Sequence, residues 1–296
     1  MGILAHRESP DFVAIGHVTI DITPTPAHPE GERRYGGAAA YAALTAASMG
    51  LNAAVLTSAS HSYPFAEIMP GVAVANVASP NTTTFQNLYE AGKRKQLLAA
   101  RAGDIANTDL PDYWNSPPIV VICPLARELP ADAYSWFHQS TTITGLVLQG
   151  YFRHWDEYGV VNVQPELPPS PAPVKSRGVE ARAALAIASH DELSAQEARA
   201  WNDIADVVVR TRGPEGAELY IGRDMSEVAA PPADEIDPTG AGDVWAAAYL
   251  IRLRETGDIE SAARFASAAA SLSITGAGLS GIPGRKNVEE TVVLQW

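Results

Sequence analysis

The sequence is poor in the features that mark secreted, zinc-binding and membrane proteins. Among 296 residues the only cysteine is Cys123, so an internal disulfide or a zinc cluster built on cysteines is excluded. Its apolar setting, IVVICP, favours a buried strand residue over a nucleophile. The chain has no run of about 18 apolar residues, and MGILAHRESPDF lacks the cationic start and apolar core of a signal peptide. We therefore expect a soluble, cytoplasmic protein with no membrane partner.

Basic residues are also scarce. Lysine and arginine number 21 against 34 aspartates and glutamates, which gives a formal net charge of -13. A nucleic-acid-binding surface neutralises phosphates with basic side chains, so this composition argues against a nucleic-acid partner. A small phosphorylated ligand stays compatible with it, because local geometry rather than net charge holds such a ligand. Hydrophobic residues make up 46%, which is typical of a globular protein with a substantial core.

Short β-rich runs alternate with helical patterns along the chain. DFVAIGHVTI predicts a first, central strand closed by Asp21, and AAAYAALTAASMGL predicts a helix that ends at Gly50. Further strands are predicted in NAAVLTSA, GVAVANV, PPIVVICPL, TTITGLVLQG, ADVVVRTRG and GAELYIG. SAQEARAWNDIA predicts a helix, and two Ala-rich helices are predicted between Gly240 and Ser273. This alternation is typical of an α/β fold with a doubly wound, mostly parallel central sheet and flanking helices.

Three segments break this alternation. The Pro- and Gly-rich ITPTPAHPEGERRYGG is unsuited to a helix, and SPNTTTFQNLYEAGKRKQLLAARAGD predicts a β-hairpin around EAGKR. Together these segments, about residues 20–36 and 79–103, predict a small sheet that projects from the main domain, although two surface loops are the alternative. VQPELPPSPAPVKSRG holds five prolines and predicts an extended surface connection. The sequence has no internal repeat, and we interpret residues 1–296 as a single domain.

The stretch DPTGAGDVWAAAYLIRL joins a turn-rich run to an apolar helix. Gly240, Ala241 and Gly242 at the helix start leave free backbone N–H groups, and the helix dipole adds positive potential. Such a start suits a phosphate. The carboxylate of Asp243 would repel that phosphate, unless its partner is a hydroxyl about to attack the phosphorus. Two interpretations stay open from these residues: a phosphoryl-transfer site with Asp243 as base, or a Gly-rich helix cap with a dipole-stabilised acid.

Other motifs for nucleotides or metals are missing. The sequence has neither G-x-x-x-x-G-K-[ST] nor G-x-G-x-x-G after the first predicted strand, so P-loop and dinucleotide-binding interpretations lose support. Its histidines are scattered without an H-E-x-x-H spacing, which leaves little case for a catalytic metal site.

DPTGAGDVWAAAYL resembles the C-terminal signature of the ribokinase/PfkB carbohydrate kinase family. AIGHVTIDI, YGGAAAYAALTAASMG and VVVRTRGPEGAELY resemble further segments of that family, in the family's order. The resemblance implies a ribokinase-like α/β fold with a small β-sheet lid over the substrate. It also implies an ATP-dependent kinase in which the signature aspartate deprotonates an acceptor hydroxyl that attacks the γ-phosphorus, while Mg²⁺ bridges the phosphates.

The resemblance assigns roles to individual residues. It implies Asp243 as the general base and the amides of Gly240, Ala241 and Gly242 as the anion hole. Asp21, Gly36 and Gly37 would meet the substrate. The nucleotide phosphates would meet Thr211, Gly213 and Gly216. Asp237 corresponds to a residue near a monovalent-cation site, such as one for K⁺, in many members, although SITGAGLSG matches the other half of that site only loosely.

Three positions depart from the family pattern, and one of them is Thr19, where ribokinases often have Asn. In GGAAAY, Tyr41 stands where the family commonly has a sugar-binding Asn; its phenol would narrow the substrate pocket, or simply pack under the lid. In SHDE, Ser189 replaces an Asn while Glu192 keeps the acid that orders water around Mg²⁺. Metal organisation would then survive in altered form, and the alternative is a surface acid that opens the next helix.

The acceptor is not fixed by these motifs. Gln149 follows a predicted buried strand, and Arg153 one turn later would reach a phosphate or a polyol, or only solvent. With GGAAAY and Ser189, this resembles the branch that includes myo-inositol kinases. We expect a small sugar or cyclitol as acceptor; a nucleoside kinase, supported if Phe85 stacks on a base, and a non-catalytic binding protein are the alternatives. The family's lid often pairs with a second subunit, so a homodimer through the lid is a further expectation.

Overall fold

The computed structural model describes residues 9–24, 28–90, 93–114, 116–137, 141–163, 175–176 and 179–296. Within these ranges the strands are β1 Phe12–Ile15, β2 Thr19–Thr23, β3 Glu32–Gly36, β4 Ala53–Ala59, β5 Ala73–Ala78, β6 Thr83–Glu90, β7 Lys93–Ala100, β8 Ile119–Ile122, β9 Ile143–Val147, β10 Arg153–Trp155, β11 Val161–Val163, β12 Lys175–Ser176, β13 Val179–Glu180, β14 Ala183–Ser189, β15 Ala205–Thr211, β16 Ala217–Ile221 and β17 Asp224–Val228. The α-helices are α1 Ala38–Ser48, α2 Phe65–Ile68, α3 Gln149–Phe152, α4 Ala195–Trp201, α5 Ala241–Thr256, α6 Ile259–Ser273 and α7 Arg285–Gln295. Short 3-10 helices span Asn107–Asp109, Asp112–Trp114, Ala133–Trp136, Gly213–Glu215 and Gly278–Gly281.

A nine-stranded central sheet organises the molecule. Its strand order is β17-β16-β15-β14-β9-β8-β1-β4-β5, and all neighbours pair in parallel except β15 with β16 and β16 with β17. The chain adds β4 and β5 on one side of β1 and returns to add β8 on the other side. Ligands of open α/β sheets bind beyond the carboxyl ends of the strands at such a reversal of order. The predicted doubly wound, mostly parallel sheet is confirmed.

A separate four-stranded sheet carries the two segments that broke the α/β alternation. Its order is β3-β2-β6-β7, with β2 antiparallel to β3, parallel to β6, and β6 antiparallel to β7. The predicted hairpin is therefore present, and residues 91–92 at its turn lie outside the described ranges. The prediction of a small sheet beside the main one is confirmed.

The prediction of one strand in DFVAIGHVTI is wrong. The run forms two strands in two different sheets, β1 in the central sheet and β2 in the small one. They separate at Gly16, where an added Cβ would lie 2.2 Å from the carbonyl oxygen of Cys123, so the chain passes tightly over the end of β8. Asp21 consequently lies inside β2 rather than at the end of a central strand.

Several elements were absent from the prediction. The most central is β14, whose sequence AALAIAS is rich in a good helix former. It is a strand because it fills the space between the parallel neighbours β9 and β15, where both of its faces are covered. The edge strand β17 and the C-terminal helix α7 were also unpredicted. Most of VQPELPPSPAPVKSRG lies outside the described residues.

Two apolar layers cover the two faces of the central sheet. In β1, Phe12 and Ala14 point into one layer while Val13 and Ile15 point into the other, as the two-residue period of a strand requires. The first layer is closed by α1, α5 and α6, and the second by α4 and 3-10 segments. Of the helices within the described ranges, none combines the length and apolar character needed to cross a bilayer.

Candidate active site

A cleft of about 570 Å³ opens at the carboxyl ends of the central strands, with residues of the small sheet on its opposite wall. Gln149 follows β9, Ser189 ends β14 and Thr211 ends β15, and all three line the cleft. Phe85 and Gln96 line it from the small sheet. The first turn of α5 forms its floor. This is the position at which a doubly wound sheet binds ligands.

The start of α5 has the geometry of an anion site. Gly240 precedes the helix in the left-handed region, with φ 79°, and a Cβ there would lie 2.4 Å from the ring of Tyr41. Ala241 N donates to the carbonyl of Pro238 at 3.3 Å. The next two N–H groups of this first turn meet no acceptor among the described residues. A Cβ on Gly242 would meet open space. Free donors at a helix start with an open approach suit a phosphoryl group.

Asp243 is the buried acid of this turn. Its residue is 6% exposed, and Gln149 Nε2 donates to its Oδ1 at 3.4 Å. The pKa of Asp243 is raised to about 7, mainly because the group is buried. The positive charge of Arg153 acts to lower this pKa, and the negative charge of Glu192 acts to raise it. A carboxylate with a pKa near neutrality is suited to proton transfer at physiological pH.

Arg153 connects this acid to the small sheet. Its Nη2 donates to Gln149 Oε1 at 3.0 Å, and its guanidinium lies 5.4 Å from the ring centroid of Phe85. The guanidinium therefore lies against an aromatic face inside the cleft and also orients the amide that contacts Asp243. Phe85 is only 3% exposed, and Arg153 covers one face of its ring.

On the small sheet, Asp21 belongs to a ladder of hydrogen-bonded polar side chains, which consists of Thr19, Asp21, Asn87 and Gln96. Asp21 Oδ2 accepts from Thr19 Oγ1 at 3.1 Å, and its Oδ1 accepts from Asn87 Nδ2 at 3.3 Å. Asn87 Oδ1 in turn accepts from Gln96 Nε2 at 3.1 Å. Thr19, Asp21 and Gln96 line the cleft. Sequence reasoning missed Asn87 and Gln96. The two-residue period of a strand, which places Asn87 on the same face of β6 as Phe85, could have indicated Asn87.

Tyr41 packs between the two signature segments. It is 3% exposed, and its ring lies against the backbone of two glycines. A Cβ added at Gly240 would lie 2.4 Å from the ring, and one added at Gly36 would lie 3.5 Å from it. Burial, together with the charges of nearby aspartates, raises the pKa of the Tyr41 phenol well above its ordinary value, so the hydroxyl stays protonated. Gly37 starts α1 at φ 101°, where a Cβ would lie 2.6 Å from the carbonyl of His17. Tyr41 and Gly37 line the cleft, and Gly36 lies behind them.

A second pocket, of about 460 Å³, adjoins the cleft. Thr211 and Gly213 line both spaces, whereas Gly216 lines the second alone. A Cβ on Gly216 would lie 2.0 Å from the carbonyl oxygen of Val228, so the turn between β15 and β16 requires glycine. The remaining walls are mainly apolar: Ala230, Pro231, Pro232, Ala233, Trp245, Ala270 and Ile274. A flat apolar ligand group would fit this pocket.

Glu192 faces the cleft from the turn after β14. One of its oxygens, Oε2, accepts from Ser189 N at 3.1 Å, so the acid also caps this turn. His190 N donates to the carbonyl of Thr211 at 2.9 Å and ties the turn to the end of β15. Glu192 is half-buried and lines the cleft together with the exposed Asp191.

Asp237 does not line the cleft but fixes the loop that leads to α5. Its Oδ1 accepts from Thr239 N at 3.0 Å, and its Oδ2 accepts from Gly278 N at 3.0 Å and from Arg34 Nη1 at 3.1 Å. Partial burial acts to raise its pKa, but the hydrogen bonds from Thr239 and Gly278 and the charge of Arg34 hold that pKa below its ordinary value. Asp237 is therefore a carboxylate surrounded by donors.

Glu128 is a buried acid that sequence reasoning missed. It is 1% exposed and accepts from three backbone groups at short range: His17 N at 2.8 Å, Leu125 N at 3.0 Å and Ala126 N at 2.7 Å. Charge-assisted bonds of this kind fix a loop firmly. They hold the segment after β8 beside the cleft, which Leu125 lines. The run PLARELP gave no sign of this role.

The doubly wound sheet with a small sheet over its strand ends is the fold of ribokinase-like α/β proteins, as comparison with solved structures shows. Residues 154–283 match the sequence model described as "pfkB family carbohydrate kinase". Ribokinase of Bacillus subtilis (strain 168) is 42% identical over 81 residues, which cover 27% of this chain and 28% of that protein. A nucleoside kinase of Methanothermobacter thermautotrophicus is 35% identical over 91 residues, 30% of this chain and 29% of that protein. The chain therefore matches less than a third of the length of these curated relatives.

Solved structures extend the likeness in fold to nearly the whole chain. Arabidopsis thaliana ribokinase, complexed with ribose and ATP, superposes with a TM-score of 0.74 at 20% identity, covering 96% of this chain and 99% of that one. A pyrophosphate-dependent kinase of the ribokinase family, complexed with a pyrophosphate analog and myo-inositol, gives 0.73 at 21% identity, covering 94% and 99%. The resemblance seen in the sequence to the ribokinase/PfkB family of carbohydrate kinases is confirmed by the family model over residues 154–283, and the solved structures show the same fold.

Proposed function

We propose that this protein is an ATP-dependent kinase that phosphorylates a hydroxyl group of a small sugar or cyclitol. One observation carries the proposal: Asp243, buried and with a pKa of about 7, lies next to free N–H donors at the start of α5. The acid and the donors line one cleft. Asp21, whose carboxylate can accept hydrogen bonds from hydroxyl groups, lines the same cleft. The match of residues 154–283 to the carbohydrate kinase family model supports the same reaction.

The proposed reaction is an in-line transfer. Asp243 accepts the proton of the acceptor hydroxyl as its oxygen attacks the γ-phosphorus of ATP, and the bond to the β–γ bridging oxygen breaks. The free N–H groups at the first turn of α5, those of Gly242 and Asp243, stabilise the charge on the transferring oxygens, whereas Ala241 N is held by the Pro238 carbonyl. Gln149 orients the carboxylate through its 3.4 Å hydrogen bond. ADP and the phosphorylated acceptor are the products.

Glu192 is the residue we propose for the Mg²⁺ side of the cleft. Its carboxylate lines the cleft, and one oxygen is held by Ser189 N, which orients the group without neutralising it. Mg²⁺ prefers oxygen ligands and keeps several waters, so contact through water fits this half-buried acid. When bound, the ion supplies charge neutralisation to the nucleotide phosphates.

The adjoining pocket supports a nucleotide as the donor. Its apolar walls and volume of about 460 Å³ offer a place for a nucleobase, which pyrophosphate would leave empty. Thr211 and Gly213 line both this pocket and the cleft, as do Ala241 and Gly242 at the start of α5, where the phosphates would lie. Gly216 lines the adjoining pocket alone. We therefore propose ATP over pyrophosphate, although a structural neighbour is pyrophosphate-dependent.

The ladder on the small sheet supports a polyhydroxylated acceptor. Asp21 and Gln96 present a carboxylate and an amide to the cleft, groups that pair with hydroxyls as acceptors and donors. Tyr41 lines the same cleft. A homodimer through the small sheet remains a prediction.

A nucleoside kinase is the second candidate. The matched relative from Methanothermobacter thermautotrophicus favours it, and Phe85 lies in the cleft where a base would stack. Against it, Arg153 covers one face of that ring. A coupled ADP-release assay over pentoses, hexoses, inositols and nucleosides, with ATP or pyrophosphate as donor, separates these cases. Turnover with a polyol and ATP supports the proposal. Turnover with nucleosides alone selects the second candidate, and ATP binding without any turnover would favour a non-catalytic protein.

A further inference from the structure

Arg34 reaches from the small sheet to the loop that precedes the anion-binding turn. It lies on β3, and its Nη1 donates to Asp237 Oδ2 at 3.1 Å across 203 positions of the chain. Asp237 is three positions before Gly240, where the candidate phosphate site begins. An ion pair thus joins the small sheet to the loop that shapes the candidate phosphate site.

The carboxylate of Asp237 is poorly suited to a free monovalent cation. A cation needs oxygen lone pairs, but both oxygens of Asp237 already accept N–H donors: Thr239 N, Gly278 N and Arg34 Nη1. The third donor is itself a cation. The side chain of Asp237 is 12% exposed, so a K⁺ ion would have to displace the guanidinium to reach it. The residues present do not fit the cation that the family resemblance implied near Asp237.

We propose that the Arg34 guanidinium takes the place of a monovalent cation beside Asp237. A negative carboxylate so close to the start of α5 would oppose a bound phosphate unless a positive charge offsets it. Arg34 supplies that charge from within the chain. Because Arg34 belongs to the small sheet, the charge is in place when that sheet lies against the cleft. Arg34 is thus a positioning residue, and the protein works without K⁺.

The pair has the features of a functional contact more than of a stabilising one. The side chain of Arg34 is 49% exposed and also pairs with Glu32 at 3.2 Å. Exposed ion pairs add little to folding stability. Removing Arg34 should therefore leave the fold intact while it exposes Asp237 to the bound phosphate. That separation makes the inference testable with the full chain.

The test compares three chloride salts, of K⁺, Na⁺ and tetramethylammonium, at equal ionic strength. We expect the initial rate and thermal midpoint of the wild-type protein to be the same in all three. Arg34→Ala should be slower by about tenfold or more in tetramethylammonium, and K⁺ or guanidinium ion should restore part of the rate. K⁺ should raise the thermal midpoint of Arg34→Ala relative to tetramethylammonium. Arg34→Lys, which keeps the charge, should lie between the two.

Arg33→Ala is the matched control. Arg33 is the preceding residue of β3, is exposed and projects from the opposite face, so its loss should change none of these readouts. A wild-type rate that collapses in tetramethylammonium, or an Arg34→Ala rate equal to wild type in that salt, would overturn the inference. The rate measurements rest on the proposed kinase function. If no acceptor is phosphorylated in any salt, the proposed kinase function fails, and the thermal midpoints alone test the role of Arg34. Equal stabilisation of the wild type and Arg34→Ala by K⁺ would then refute that role.

Discussion

Asp243 shows how one side chain acquires its chemistry from its surroundings. The sequence places an acid in the first turn of a helix, where the dipole favours the charged form. Burial opposes that preference and raises the pKa to about 7. We expect Asp243→Asn to lower kcat by about a thousandfold or more, because an amide cannot accept the proton. ATP binding, measured by calorimetry, should change little. Turnover near the wild-type level would contradict the assignment of Asp243 as base.

The same substitution has a pH-dependent effect on stability. Between the ordinary pKa of 3.8 and the folded value of about 7, the folded protein binds more protons at Asp243 than the unfolded chain does. The contribution of this group to stability is therefore complete below pH 3.8 and lost as the pH rises towards 7, by up to about 4 kcal/mol. Since Asn does not ionise, Asp243→Asn should be more stable than wild type at about pH 8 and similar at about pH 4. Urea unfolding at both pH values checks this; a variant less stable at the higher pH would refute the burial argument.

Arg153 should tune the protonation of Asp243. Its positive charge lowers the pKa that burial raises. We expect Arg153→Met to move the acid limb of the kcat/KM profile to higher pH, because the carboxylate then loses the positive charge that lowers its pKa. Arg33→Met serves as the control, since Arg33 is exposed on the small sheet. An unchanged midpoint would mean that Arg153 acts only on acceptor binding.

At the scale of the element, the two glycines at the start of α5, Gly240 and Gly242, have different roles. Gly240 is required by the fold, because φ is 79° and a Cβ would meet the Tyr41 ring at 2.4 Å. Gly242 has open space at its Cβ position. Gly240→Ala should destabilise the protein by a few kcal/mol, about 2 or more. Gly242→Ala should keep or raise stability, because Ala is the better helix former, yet raise KM for ATP by obstructing the phosphate. Thermal melts and initial rates distinguish the two, and a normal KM for ATP in Gly242→Ala would argue against the anion hole.

The hairpin of the small sheet offers a test of the acceptor subsite. Gln96 on β7 lines the cleft and donates to Asn87, which donates to Asp21. We expect Gln96→Ala to raise KM for the acceptor by about tenfold with little change in KM for ATP. Lys95→Ala is the control, because the neighbouring side chain of a strand points to the opposite face. Equal effects on both substrates would place Gln96 outside the acceptor subsite.

The errors of the sequence prediction lie where one element depends on another. AALAIAS favours a helix by composition, yet β14 is a strand because parallel neighbours flank it on both sides. DFVAIGHVTI has a continuous apolar pattern, but contact of Gly16 with the Cys123 carbonyl divides it between two sheets. In contrast, helices with a clear start, such as α5, and the hairpin of β6 and β7 followed local rules. Local pattern predicted them because no distant contact was needed.

For the whole molecule, the arrangement of the two sheets predicts a motion. The small sheet carries Asp21 and Phe85 over a cleft whose floor belongs to the central sheet and α5. We expect a polyol acceptor together with a non-hydrolysable ATP analogue to slow hydrogen exchange in β2, β6 and β7, because closure over the ligands suppresses local opening. Strands β4 and β5, at one edge of the central sheet, serve as an internal reference. Equal protection of both sheets would indicate general stabilisation instead of closure.

The sequence by itself determined the alternation of strands and helices, the helix start with Gly240, Gly242 and Asp243, and the family resemblance. These depend on residues close together in the chain, so local periodicity and turn chemistry are sufficient. Only the tertiary structure decided that Asp243 is buried against Gln149 and Arg153, and that Arg34 pairs with Asp237. A pKa and an ion pair depend on groups that folding brings together from distant positions, and sequence spacing does not record their distances.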